Sequence, residues 1–167
     1  LMNKGHSFLY CSFRDGIPLY DNNWFNKTRE VILNLRPKKE TIAFYLEASL
    51  ERLINLSKRR VFYFDYEDGK CAANQLGFAL VMERGKYPVS PHTLRKEIIE
   101  LSGRYKVIAD AICYLQEAYY KNKKPNEKKY IKNIIFLRSF AMKYVKNHFP
   151  KSFEKIREYE TFLRKLH

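Results

Sequence analysis

The sequence predicts a predominantly helical α+β fold, with two or three short strands near the N-terminus and a basic, all-helical C-terminal half. Three observations carry this. The runs Ser7–Phe13 and Arg60–Tyr66 are rich in the aromatic and β-branched residues that strands favour. Most of the remainder places apolar residues at the three-and-four spacing of amphipathic helices. Charge is also uneven: residues 119–167 hold 14 of the 32 Lys and Arg against four acids, Glu127, Glu154, Glu158 and Glu160. That stretch therefore carries most of the formal net charge of +14.

With 167 residues, 46% of them hydrophobic, the chain is long enough to bury one core. A single domain over residues 1–167 is expected, with a mixed region at about 1–118 and a basic helical region at about 119–167. The longest apolar run, Leu76–Met82, is far short of the roughly 18 residues of a membrane helix. The polar Asn3-Lys4-Gly5-His6 after Met2 is unlike a secretion signal. Cys11, Cys71 and Cys113 are odd in number and lack paired metal spacing, which suits reduced thiols. The expectation is a soluble protein of the cytoplasm, or of the nucleoid or nucleus if it binds DNA, with no membrane partner and no cofactor.

Taken in order, Ser7–Phe13 reads as a strand closed by the turn residues of Arg14–Pro18. Trp24–Leu35 reads as a helix stopped at Arg36-Pro37, because proline disfavours helical geometry in the residue before it. Thr41–Ser57 is a helix whose core face is Ile42, Tyr45, Leu46, Leu50, Leu53 and Ile54. Arg60–Tyr66 is the strongest strand, and Glu67-Asp68-Gly69-Lys70 its turn. Cys71–Glu83 follows as a helix broken by Arg84–Pro88. Ser90 is an N-cap, with Pro91 at the first helical position, for a helix to about Leu101. Tyr105–Tyr120 is a further helix. After the polar stretch Lys121–Asn126 come two more, Glu127–Asn147 and Ser152–Leu166, separated by Phe149-Pro150.

The Glu127–Asn147 helix carries the main functional expectation. At 3.6 residues per turn, Lys128, Lys129, Lys132, Lys143 and Lys146 fall within about 100° of arc. Tyr130, Ile134, Leu137, Phe140, Ala141, Tyr144 and Val145 occupy the other side. Such a helix docks on a core and offers lysines to solvent. Phe136 interrupts the polar strip, and a ring beside lysines can stack on unpaired bases. An ordinary solvated face has the same composition, and so does a dock for an acidic protein. The concentration of charge favours polyanions, and the expected partner is nucleic acid, DNA or RNA. Only Arg138, Arg157 and Arg164 supply guanidinium groups in this half. Contact with backbone phosphates is therefore expected over reading of base edges.

Two enzymatic alternatives compete. Asp68-Gly69-Lys70-Cys71 places a thiol where a turn passes into a helix, and free amides and the helix dipole there favour thiolate. This run, with Leu94-Arg95 downstream, resembles papain-like cysteine peptidases of the ovarian-tumour deubiquitinase type. The resemblance covers Asp68 to Arg95 and implies Cys71 as nucleophile. The family's histidine lies in a late strand, which this sequence lacks, leaving His6 at the first strand as the candidate base. Ala72-Ala73 stand where that family has large residues.

Asp65 and Glu67 would project from one strand end, the arrangement used by divalent-metal phosphoryl chemistry. With Ser90-Pro91-His92 and Asp110 downstream, their order is similar to that of archaeo-eukaryotic primases and polymerases. That likeness implies metal-dependent nucleotidyl transfer or DNA cleavage, with Asp65, Glu67 and Asp110 as metal ligands. A helix-turn-helix is a further possibility, with Ala72–Glu83 as first helix, Ser90–Leu101 as recognition helix, and Ser90, His92, Thr93, Arg95 and Lys96 near DNA.

Overall fold

The computed structural model describes residues 23–58, 63–88, 90–121 and 125–165, without the side chains of residues 63–65. Among these residues the three-and-four spacing resolves into seven α-helices and one 3₁₀ turn. They are α1 (Trp24–Leu33), α2 (Lys39–Lys58), α3 (Tyr63–Glu83), α4 (Leu94–Leu101), the 3₁₀ turn Gly103–Tyr105, α5 (Lys106–Tyr120), α6 (Glu127–His148) and α7 (Pro150–Lys165). No strand occurs among the described residues. The fold of the described residues is all-helical, and the α+β expectation is corrected.

The correction turns on α3. Tyr63–Tyr66, expected to end a strand, form the first turn of the helix, and Glu67–Lys70, expected to be a turn, continue it. The reason is a partner distant in sequence. Tyr66 meets the fully buried Tyr130 of α6 edge to face, with ring centroids 5.0 Å apart. Gly69 is buried under the same tyrosine. Continuing from those residues, Ala72, Ala73, Leu76, Ala79 and Leu80 are all buried, so the helical period runs through the supposed turn. Aromatic-rich sequence expresses β preference only where a pleated surface can use it, and packing on α6 overrides it here. The other expected strand, Ser7–Phe13, lies outside the described residues.

The helix α2 buries Ile42, Leu46, Leu50, Leu53 and Ile54, the face its periodicity indicates, while Tyr45 is half-buried. It packs on α3, α6 and α7, and α3 in turn packs on α5, α4 and α6. Buried polar links fix these contacts: Ser49 Oγ donates to the Ala72 carbonyl at 2.8 Å. Gln116 Nε2 of α5 donates to Asn74 Oδ1 of α3 at 2.7 Å and to the Pro91 carbonyl at 2.8 Å. Asn55 and Tyr159 exchange hydrogen bonds that tie α2 to α7.

Helix ends follow local chemistry. The Asn34 amide donates to the Glu30 carbonyl where α1 stops, ahead of Pro37. Gly85, at φ 76°, takes the left-handed conformation just beyond α3, and its amide donates to the Met82 carbonyl at 2.8 Å. Ser90 does act as a cap, its Oγ accepting from the Thr93 amide at 3.3 Å. It closes a turn at 91–93, and α4 proper begins at Leu94. Pro150 opens α7 immediately after the buried Phe149.

Candidate nucleic-acid interface

Three local features set α6. Asn126 Oδ1 accepts from the Lys129 amide at 3.0 Å, capping its first turn. Glu127 lies at the positive end of the helix dipole, and Lys146 and His148 at the negative end. Tyr130, Ile134, Leu137, Ala141 and Val145 are buried against α2, α3 and α5, which fixes the rotation of the helix about its axis. Lys128, Lys129, Lys132, Lys143 and Lys146 consequently all lie exposed.

Their electrostatic situation differs from that of several cations elsewhere on the molecule. Arg52 pairs with Asp68, Arg95 with Asp110, Lys121 with Glu117, Arg138 with Glu160 and Lys155 with Glu47. Among the described residues none of the five lysines on α6 forms an ion pair. Lys129 Nζ lies 4.5 Å from the centroid of the Tyr114 ring, and Lys146 Nζ 6.0 Å from that of Phe153. These rings hold the two side chains without neutralising them. The face divides into two sets, Lys128, Lys129 and Lys132 near its start and Lys143 and Lys146 near its end. Between them lie Ile135, 53% exposed, Phe136, 37% exposed, and the exposed Ser139. Ile135 falls on the same side of the helical wheel as the lysines, a position its apolar character alone does not mark as functional.

The other expected site residues are not drawn into a common centre. Cys71 lies two turns inside α3, where the preceding turn of helix already satisfies the backbone amides, so the helix-terminus argument for its thiolate has no structural basis. His6 lies outside the described residues. His92 packs its ring 5.5 Å from Tyr120, and His148 stacks on Tyr144 at 4.6 Å. Burial raises the Cys113 thiol, reinforced by the Glu117 carboxylate to which it donates.

For the metal reading, Asp65 and Glu67 lie in the opening turns of a helix, where neighbours two apart face different ways, and not at a strand end. Glu67 lies 3.9 Å from Lys70, and Asp110 is bound by Arg95 at 2.8 Å. No cluster of three or more His, Cys, Asp or Glu suited to a metal ion occurs among the described residues. In the supposed helix-turn-helix, Arg95 is engaged by Asp110 and Lys96 lies 3.9 Å from Glu100. The connection from Arg84 to Thr93 also exceeds a tight turn.

Near the C-terminal end of α6, His148 Nδ1 is 3.7 Å from Glu83 of α3. Burial raises the Glu83 carboxyl above its ordinary range, an effect opposed by His148, Arg84 and Lys39. No helix among the described residues is long and apolar enough to cross a membrane. No protein-family model, curated protein or solved structure matches the chain.

Proposed function

We propose that this protein binds nucleic acid by placing Lys128, Lys129, Lys132, Lys143 and Lys146 against backbone phosphates. The observation that carries the reading is that these five exposed cations share one helix face and that none of them forms an ion pair among the described residues, whereas Arg52, Arg95, Arg138 and Lys155 do. Unneutralised lysines release condensed counterions from a polyanion when they bind it. The lack of a free guanidinium group on α6 favours contact with the backbone over base-edge reading. Arg138, the arginine within α6, is occupied by Glu160 and Ser57. Such binding would place the chain in the cytoplasm, or in the nucleoid or nucleus with DNA.

Fluorescence anisotropy with labelled single-stranded DNA, duplex DNA and RNA at about 50 and 200 mM salt tests it. Five phosphate contacts give a slope of log K against log salt of roughly −3.5 to −4.5, a loss of about a hundred- to five-hundredfold over that range. A flat salt response rejects the proposal, as does the absence of binding at the lower salt. Binding of an acidic polypeptide in place of every nucleic acid would assign the face to a protein partner.

A further inference from the structure

The five lysines do not form a continuous strip, and what separates them specifies the ligand. From Lys132 to Lys143 the helix advances about 16 Å without a cation on this face. Into that interval project Ile135 and Phe136, 53% and 37% exposed, with Ser139 beside them. Polar groups suited to reading bases are occupied. The Asn133 amide donates to the Lys129 carbonyl at 2.9 Å, and the Arg138 guanidinium is held by Glu160 and by Ser57 Oγ at 2.9 Å. Apart from one serine, the interval offers a ligand only an aromatic ring and an aliphatic side chain.

These groups contact the face of a base and not its hydrogen-bonding edge. In a duplex the edges are presented in the grooves while the faces are covered by stacking on neighbouring pairs. Unpaired bases expose their faces, and aromatic side chains flanked by cations are the usual means of holding them. A duplex lying on this surface would instead set two solvent-exposed apolar side chains against charged backbone or a hydrated groove.

Resting on the nucleic-acid reading above, we infer that the preferred ligand is single-stranded nucleic acid, its phosphates on the two lysine sets and an unpaired base stacked on Phe136 beside Ile135. Recognition of this kind tolerates sequence, because every base has a face to stack.

The test compares an oligodeoxythymidylate, an oligouridylate and a duplex of equal length by anisotropy at about 50 mM salt, with wild type, Phe136→Ala, Phe136→Tyr and Lys128→Glu/Lys132→Glu proteins. Single strands are expected to bind more tightly than the duplex. Phe136→Ala should weaken single-strand binding roughly five- to a hundredfold with an unchanged salt slope. Phe136→Tyr, which keeps the ring, should retain the affinity, and the unchanged salt slope of Phe136→Ala shows that its lysine face is still folded. The lysine variant should lose affinity and flatten the slope. Equal or tighter duplex binding, or a Phe136→Ala protein that binds single strands as wild type does, overturns the single-strand inference while a steep salt slope leaves the phosphate-binding reading standing. Failure of every oligonucleotide to bind overturns both.

Discussion

Tyr130 of α6 sits on Gly69 of α3 so closely that a β-carbon at residue 69 would fall on the tyrosine hydroxyl and 2.9 Å from its Cζ. The tyrosine is fully buried and its ring also meets Tyr66, so it cannot swing aside cheaply. Two effects of Gly69→Ala therefore oppose each other. Alanine gains about 1 kcal/mol of helix propensity over glycine, while overpacking a rigid interior costs about 1–3 kcal/mol, and a clash with an immobile ring belongs at the upper end. The net expectation is destabilisation by about 1–2 kcal/mol in urea unfolding, partly relieved by Tyr130→Phe in the same chain. Stabilisation by Gly69→Ala would show that α3 and α6 do not approach here.

How much of this was legible in the sequence follows from where each determinant lies. The helices α2, α5, α6 and α7 carry their determinants within themselves, as apolar residues repeating at helical spacing, although α7 begins at Pro150 where the sequence suggests a separator and a start at Ser152. The opening of α3 does not. Val61 to Phe64 have strand composition and Asp68-Gly69 is a turn signal, and only the presence of Tyr130, far along the chain, converts Gly69 from a turn residue into a point of close approach. The same division applies to the candidate site. Exposure of the five lysines follows from the buried stripe of α6 itself. Which cations are already neutralised depends on tertiary pairing, as between Arg138 and Glu160 or Arg95 and Asp110, and this no local pattern discloses.

Gln116 should behave as a structural cross-link. Its amide joins α5 to Asn74 of α3 and to the carbonyl of Pro91, and the residue is 92% buried by complement of its 8% exposure. Gln116→Ala leaves two acceptors without their donor and should cost about 1–3 kcal/mol in thermal or urea unfolding. A cost below about 0.5 kcal/mol, the usual range of a surface change, would mean that these contacts are not made.

Arg138 and Lys155 both meet a glutamate of low exposure, yet they should differ. Arg138 has 31% side-chain exposure, binds Glu160 at 13%, and also donates to Ser57. Lys155, at 64%, reaches Glu47 from solvent. Removing Arg138 strands a largely buried carboxylate, while the Ser57 hydroxyl keeps its bond to the Ile54 carbonyl; about 2 kcal/mol is expected, against no more than about 1 kcal/mol for Lys155→Ala. Equal losses in chemical denaturation would refute the distinction.

Glu83 gives a pH dependence of definite sign. Burial raises its carboxyl above the ordinary value of 4.5, so over the interval from there to the raised value the folded protein holds a proton that the unfolded chain has lost. Stability contributed by this group is therefore present below that interval and declines as pH rises through it. Replacement by glutamine removes the titration, and the difference in stability between wild type and Glu83→Gln should shift in the variant's favour as pH rises across the interval. His148, 3.7 Å away, works in the opposite direction while it is protonated, so His148→Ala should steepen the decline. Denaturation midpoints measured from pH 4 to pH 7 would decide it, and a parallel course for wild type and Glu83→Gln would refute the assignment.

The lysine face yields a prediction about additivity. Lys128 and Lys146 stand about 27 Å apart along α6, well beyond the screening length of about 10 Å at 0.1 M salt, whereas Lys128 and Lys132 are one turn apart. If each lysine neutralises one phosphate, single replacement by alanine should reduce the salt slope by about 0.7–0.9 wherever it is made, because counterion release counts contacts and not their positions. Affinity should follow a different rule. Losses from Lys128→Ala and Lys146→Ala should add in the double variant, while those from Lys128→Ala and Lys132→Ala should depart from additivity, because the fields of neighbours one turn apart overlap on the same stretch of backbone. Anisotropy titrations of the three single variants and two double variants separate these cases. Slopes unchanged in all of them would remove α6 from the interface, whatever else on the molecule binds.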